Sequence, residues 1–176
     1  MPADEPARAR RPASVTAAFR CQVAIALLLV VVAVVNAVDT VLTRRVHGDP
    51  LAGSFDDVVL YLVLAAWLGF AAPGLRRGRR PAYWLSLSGL LLPLAALASE
   101  FAFGTSTHHF AVYIGPVGDE DLVVLANTWS TVTSAVTGLG GVAILALMPA
   151  AVALLLTGSA RGFFLRASPG TVQRDA

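Results

Sequence analysis

Polar residues are confined to short clusters along this chain, and four long apolar stretches run between them. Residues 23–38 are apolar except for Asn36, and the run widens to 17–41 with Arg20 near its start and Asp39 near its end. Residues 58–72 are apolar throughout and stop at Pro73 and Gly74. Residues 83–98 carry only Ser86 and Ser88 as polar side chains, and the stretch reaches Phe103 if Glu100 is tolerated. Residues 128–157 are rich in Thr, Ser and Gly at first and in Ala and Leu later. A bilayer core about 30 Å thick needs roughly 20 apolar residues in a helix, and each stretch is near that length. With no water to satisfy the backbone, these stretches must be helical. A soluble helix would show a polar face at the helical period, and residues 23–35 show none.

The pattern predicts an all-α integral membrane bundle of four transmembrane helices, spanning about 17–43, 56–74, 82–103 and 127–158. Residues 1–16, rich in Pro, Ala and Arg, are expected as a disordered cytoplasmic tail; 17–160 form the membrane domain and 161–176 a second cytoplasmic tail. Turn chemistry at Gly48-Asp49-Pro50 closes the first outer loop. The longest outer segment, 101–126, includes a loosely alternating stretch at 109–114 that suits a short strand.

Composition removes the soluble alternatives. The chain has 176 residues, 56% hydrophobic and 14% charged, against about 25% charged in soluble domains. That leaves room for one membrane bundle and no separate soluble domain. All thirteen basic residues are arginine, which suits a GC-rich bacterial genome and points to a bacterial cell membrane.

Charge gives the orientation. Arg8, Arg10, Arg11 and Arg20 precede the first span, Arg76, Arg77, Arg79 and Arg80 lie between the second and third, and Arg161, Arg166 and Arg174 follow the fourth. Only Arg44 and Arg45 fall on the other side. Short loops rich in Arg stay in the cytoplasm, so both termini are expected inside. Eight of eleven carboxylates sort to the outer side or its boundary: Asp39, Asp49, Asp56, Asp57, Glu100, Asp119, Glu120 and Asp121. The inner side therefore has a surplus of eight positive charges and the outer side a surplus of six negative charges. This basic face suits anionic inner-leaflet lipid, and no nucleic-acid partner is expected.

The first stretch has a basic start and a small-residue motif at Val35-Asn36-Ala37, as a signal peptide has, but its apolar length exceeds the usual 7–15 or so residues. It is expected to remain as a span. The single cysteine, Cys21, allows no intramolecular disulfide and no paired-cysteine redox centre.

Polar residues inside the spans are the candidates for function, because placing them in lipid is costly. Asn36, Asp39, Thr40 and Thr43 share one face of the first helix. Ser86, Gly89, Pro93, Ala96 and Glu100 repeat with similar spacing in the third, and Asn127, Thr131, Ser134, Gly138 and Gly141 in the fourth. Such faces serve helix packing, with Ser134, Gly138 and Gly141 as the packing residues. Alternatively, Asn36, Asp39, Glu100 and Asn127 line a polar cavity open to the outside. Arg44 and Arg45 are expected to pair with Asp56 and Asp57 among the nearby carboxylates across the first outer hairpin. His47, His108 and His109 all fall on the outer side, with no metal-site spacing and none at the membrane depth a haem held in the bundle would need. No nucleophile elbow, phosphate loop or dinucleotide turn is present. No catalytic, cofactor or metal residue is therefore assigned.

The sequence predicts a non-enzymatic accessory, assembly or scaffold protein. Its partners would be the lipid bilayer and either another membrane protein or a second copy of itself. The alternative is a small transporter or ligand sensor using the outer cavity.

Overall fold

The computed structural model describes residues 12–47, 55–103 and 120–165, and the backbone alone for 97–103. Five helices make up the described residues, with no strand among them: α1 (Ala13–His47), α2 (Asp56–Arg76), α3 (Arg80–Phe103), α4 (Glu120–Leu156) and α5 (Gly158–Leu165). The strand-like stretch at 109–114 lies outside the described residues.

Three of the helices, α1, α2 and α4, are long and apolar enough to cross a membrane. The 35 residues of α1 measure about 52 Å, more than the roughly 40–45 Å of a bilayer with its headgroups. Arg20 lies toward one end of α1, and Asp39, Arg44 and Arg45 toward the other. α1 packs along α2 and α4, α3 packs against α2 and more sparsely against α4, and α5 closes one end.

The contact face of α1 has a strict spacing. Val15, Ala18, Gln22, Ile25, Leu29 and Val32 are buried, separated by alternating steps of three and four residues. α2 repeats the spacing with Val58, Ala65, Leu68, Ala72 and Leu75. Such a seam places knobs into holes and crosses neighbouring helices at about +20°. The main core lies toward the end where the arginines collect. There Ile25 and Leu29 of α1 meet Leu68 and Leu75 of α2, Tyr83 and Leu90 of α3, Met148, Ala151 and Leu155 of α4, and Ala160 and Phe164 of α5. A smaller cluster of Val46 and Ala126 joins α1 to α4 at the opposite end.

Residues 161–165, the start of the expected second tail, complete α5, which packs against the bundle. Thr157 separates α4 from α5 and caps the latter, its Oγ1 accepting the Ala160 amide at 3.4 Å and donating to the Leu154 carbonyl at 2.8 Å. Phe164 is 1% exposed and Ala160 is fully buried, so the eight residues of α5 anchor under the bundle. Ser14 and Ser159 share a hydrogen bond of 3.1 Å between the start of α1 and α5.

The turn between α2 and α3 has a defined chemistry. α2 continues through Pro73 and Gly74, where the apolar run ends, to Arg76. The Arg79 amide donates to the Gly74 carbonyl at 3.0 Å and the Gly78 amide to the Leu75 carbonyl at 3.1 Å. Gly78 has φ +67°, so this is a helix end closed by a left-handed glycine. The turn brings α3 back immediately alongside α2. Trp67 Nε1 then donates to the Leu85 carbonyl at 2.9 Å, and a Cβ at Gly89 would meet Trp67 Cδ1 at 2.9 Å.

Candidate functional site

Helix-end electrostatics account for much of the charge placement. The first turn of α2 holds Asp56 and Asp57, the first turn of α4 holds Glu120 and Asp121, and the last turn of α1 holds Arg44, Arg45 and His47. Anions suit helix N-termini and cations suit C-termini, by about 0.3–1 kcal/mol each. Two helices begin and two end at this acidic end of the bundle, and the C-terminus of α1 explains why two arginines sit among carboxylates. The Arg44 guanidinium lies 4.5 Å from the centre of the Phe55 ring, a cation–π contact. Arg45, Asp56 and Asp57 are exposed.

Between α1 and α4 runs a polar seam. Asn36 Nδ2 donates to the Val32 carbonyl at 2.8 Å and to Thr137 Oγ1 at 3.0 Å, bridging the two helices. Thr40 is buried and its hydroxyl donates to the Asn36 carbonyl at 2.9 Å. Trp129 Nε1 donates to the Val35 carbonyl at 3.3 Å. Asp39 is half-buried within a turn of these groups. Nearer the arginine-rich end, Gln22 Nε2 donates to the Leu68 carbonyl at 2.7 Å and fastens α1 to α2. Gln22 Oε1, Ser86 Oγ and Thr133 Oγ1 are buried with no partner among the described residues, each at a cost of about 1–3 kcal/mol.

Of the four residues expected to line a cavity, Asn36 and Asn127 lie apart. Asn36 meets α4 at Thr137, ten residues along the helix from Asn127, a distance of about 15 Å. Asn127 is exposed, while its neighbour Ala126 is the residue packed against α1. Glu100 belongs to α3, and its side chain lies outside the described part of the structure.

The packing stripe of α4 is also displaced. The residues turned into the bundle are Ala126, Thr133, Gly140, Met148, Ala151 and Leu155. Gly140 is the glycine in close contact, since a Cβ there would meet Val32 Cγ2 at 2.9 Å. Ser134 and Gly138 are exposed, Gly141 is half-buried, and a Cβ on either glycine would meet nothing within 4 Å. The face read from the sequence is rotated by about one residue, or about 100°, from the face that packs.

Sequence reasoning missed Gln22, Thr137 and Trp129, the side chains that fasten α1 to its neighbours together with Asn36. Gln22 borders the first apolar run and falls on the three-four spacing of its buried positions, and that spacing was the available signal. Among the described residues no three His, Cys, Asp or Glu side chains gather into a metal site; His108 and His109 lie outside them. The chain matches no family model, no curated protein and no solved structure.

Proposed function

We propose that this chain is a bacterial cell-membrane protein that crosses the bilayer four times with both termini in the cytoplasm. It acts without catalysis, as an accessory or assembly partner recruited through helix–helix contact. The fourth crossing is α3. Its 24 residues, about 36 Å long, follow a three-residue turn and run back along α2. The side-by-side packing of α1 with α2 and α4, and of α3 with α2, supports an up-and-down bundle.

The observation that carries the functional reading is the unused face of α4. Asn127, Thr131, Ser134 and Gly138 are exposed, beside Leu139 at 75% exposure and Val142 at 67%. In lipid, helices associate where small residues let backbones approach and where polar side chains bond across the contact. The bundle itself packs through a different face, which leaves this one for another helix. The separation of Asn36 from Asn127 favours assembly over the outward cavity.

Gly138→Leu tests the assembly reading. Nothing in the bundle obstructs a side chain there, so the variant is expected to fold and to reach the membrane at wild-type level. In mild detergent the wild-type chain is expected to co-purify in fixed ratio with a second copy or another membrane protein, and Gly138→Leu to run alone on size exclusion with light scattering. A monomeric wild type that captures nothing, or a variant that keeps the partner, contradicts the reading.

A further inference from the structure

The arginine-rich end contains a cleft that no part of the assembly reading uses. It has a volume of about 370 Å³ and is lined by Phe19 of α1 and by Pro73, Arg76 and Arg77 at the end of α2. None of the lining residues is acidic. The Arg76 guanidinium carbon stands 5.4 Å from the centre of the Phe19 ring, close enough for the ring face to hold the cation in place. Backbone amides of the turn already occupy the nearby helix-end carbonyls: Arg77 bonds those of Pro73 and Gly74, Gly78 that of Leu75, and Arg79 that of Gly74. Among the described residues no carboxylate or other acceptor bonds either guanidinium group.

The lining fits one chemistry. Guanidinium forks match phosphate oxygens in geometry as well as charge. The Phe19 ring and Pro73 give the same cleft an apolar wall, which a free anion would not use. The cleft also lies where the apolar part of α2 gives way to arginine and where α3 starts with the exposed Trp84. Tryptophan and arginine at a helix end mark headgroup depth. We propose that this cleft binds the headgroup of an anionic phospholipid, with the phosphate held by Arg76 and Arg77 and the glycerol end of the acyl chains against Phe19 and Pro73. The inference rests on reading this end of the bundle as lying at the cytoplasmic membrane surface, where anionic lipid supplies the negative charge.

The test uses the full chain in mixed micelles of phosphatidylcholine and phosphatidylglycerol, with retained lipid counted by native mass spectrometry. Arg76→Gln with Arg77→Gln removes the cleft's charge. Arg79→Gln with Arg80→Gln removes the same charge from the same turn but leaves the cleft intact. The first pair is expected to lower phosphatidylglycerol retention roughly tenfold and the second by less than about twofold. Equal losses in the two pairs would show attraction by surface charge alone and overturn the proposal. So would a wild type that retains both lipids equally, or full displacement of the lipid by inorganic phosphate. Reporter fusions in the Arg76–Arg80 turn keep the two readings apart. An external signal there, with retention still dependent on Arg76 and Arg77, would sink the orientation while supporting the site.

Discussion

Phe164→Ala is expected to lower the stability of the bundle by about 3 kcal/mol. Phe164 is the largest fully buried side chain among the described residues. Its ring centre stands 5.0 Å from that of Tyr83 and 5.2 Å from that of Phe163, which it meets edge to face. Tyr83 in turn meets Trp84 at 5.3 Å, so the loss would be felt across the start of α3. α5 places only Ala160 and Phe164 in the core. Without Phe164 the helix keeps the alanine, the partly buried Phe163 and the Ser14–Ser159 hydrogen bond. The cavity opens at the end of the bundle, where neighbours can settle into it, so the cost falls at the lower part of the range for Phe→Ala. Detergent-titrated unfolding in mixed micelles, followed by circular dichroism, gives the number, with exposed Leu165→Ala as the comparison. A loss below about 0.5 kcal/mol, the size of an ordinary surface change, would mean that α5 is not docked.

A smaller substitution at the other side of this end is expected to cost nearly as much. Gly74→Ala should destabilise by about 2 kcal/mol through overpacking. A Cβ at Gly74 would collide with Cβ of Ala82, an atom fixed to its backbone with no rotamer to escape into. The connection between α2 and α3 has no slack, because the amides of Arg77, Gly78 and Arg79 are all bonded back to the helix end. Gly69→Ala in the same helix meets nothing within 4 Å. It should be neutral or gain up to about 1 kcal/mol from helix propensity. The same unfolding measurement compares the two, and equal effects would remove the close approach of α2 and α3 from the account.

The three helices long and apolar enough to cross a membrane were legible in outline because a bilayer demands length and apolar character, and residues 23–38 and 58–72 show both. Which face of each helix packs was not. In a soluble helix the polar residues give the outward face, but in lipid both faces of α1 are apolar, and burial follows shape. Ser134 and Gly138 looked like packing residues because they are small, yet Thr133 and Gly140 occupy the seam. The three-four spacing through Gln22 and Asn36 of α1 was present in the sequence and would have found the interhelical hydrogen bonds, had it been followed beyond hydrophobicity. α5 was hidden for another reason. Gly158 and Ser159 resemble a helix stop, and eight residues ending in Phe163-Phe164-Leu165 give too little periodicity to separate a docked helix from a tail. Charge dominates the segment Leu75-Arg76-Arg77-Gly78, although the glycine that follows the last residue of a helix end is itself a structural signal.

The proposed topology has four crossings with the arginine-rich turn inside. The most direct measurement is a set of paired topology reporters, one active in the cytoplasm and one outside it, fused after Arg80, after Ala176, near His47 and near Gly115. The 11-to-2 split of arginines between the two sides predicts cytoplasmic signals at Arg80 and Ala176 and external signals at His47 and Gly115. A cytoplasmic signal at Gly115 would contradict the crossing by α3, and one at His47 would break the first hairpin.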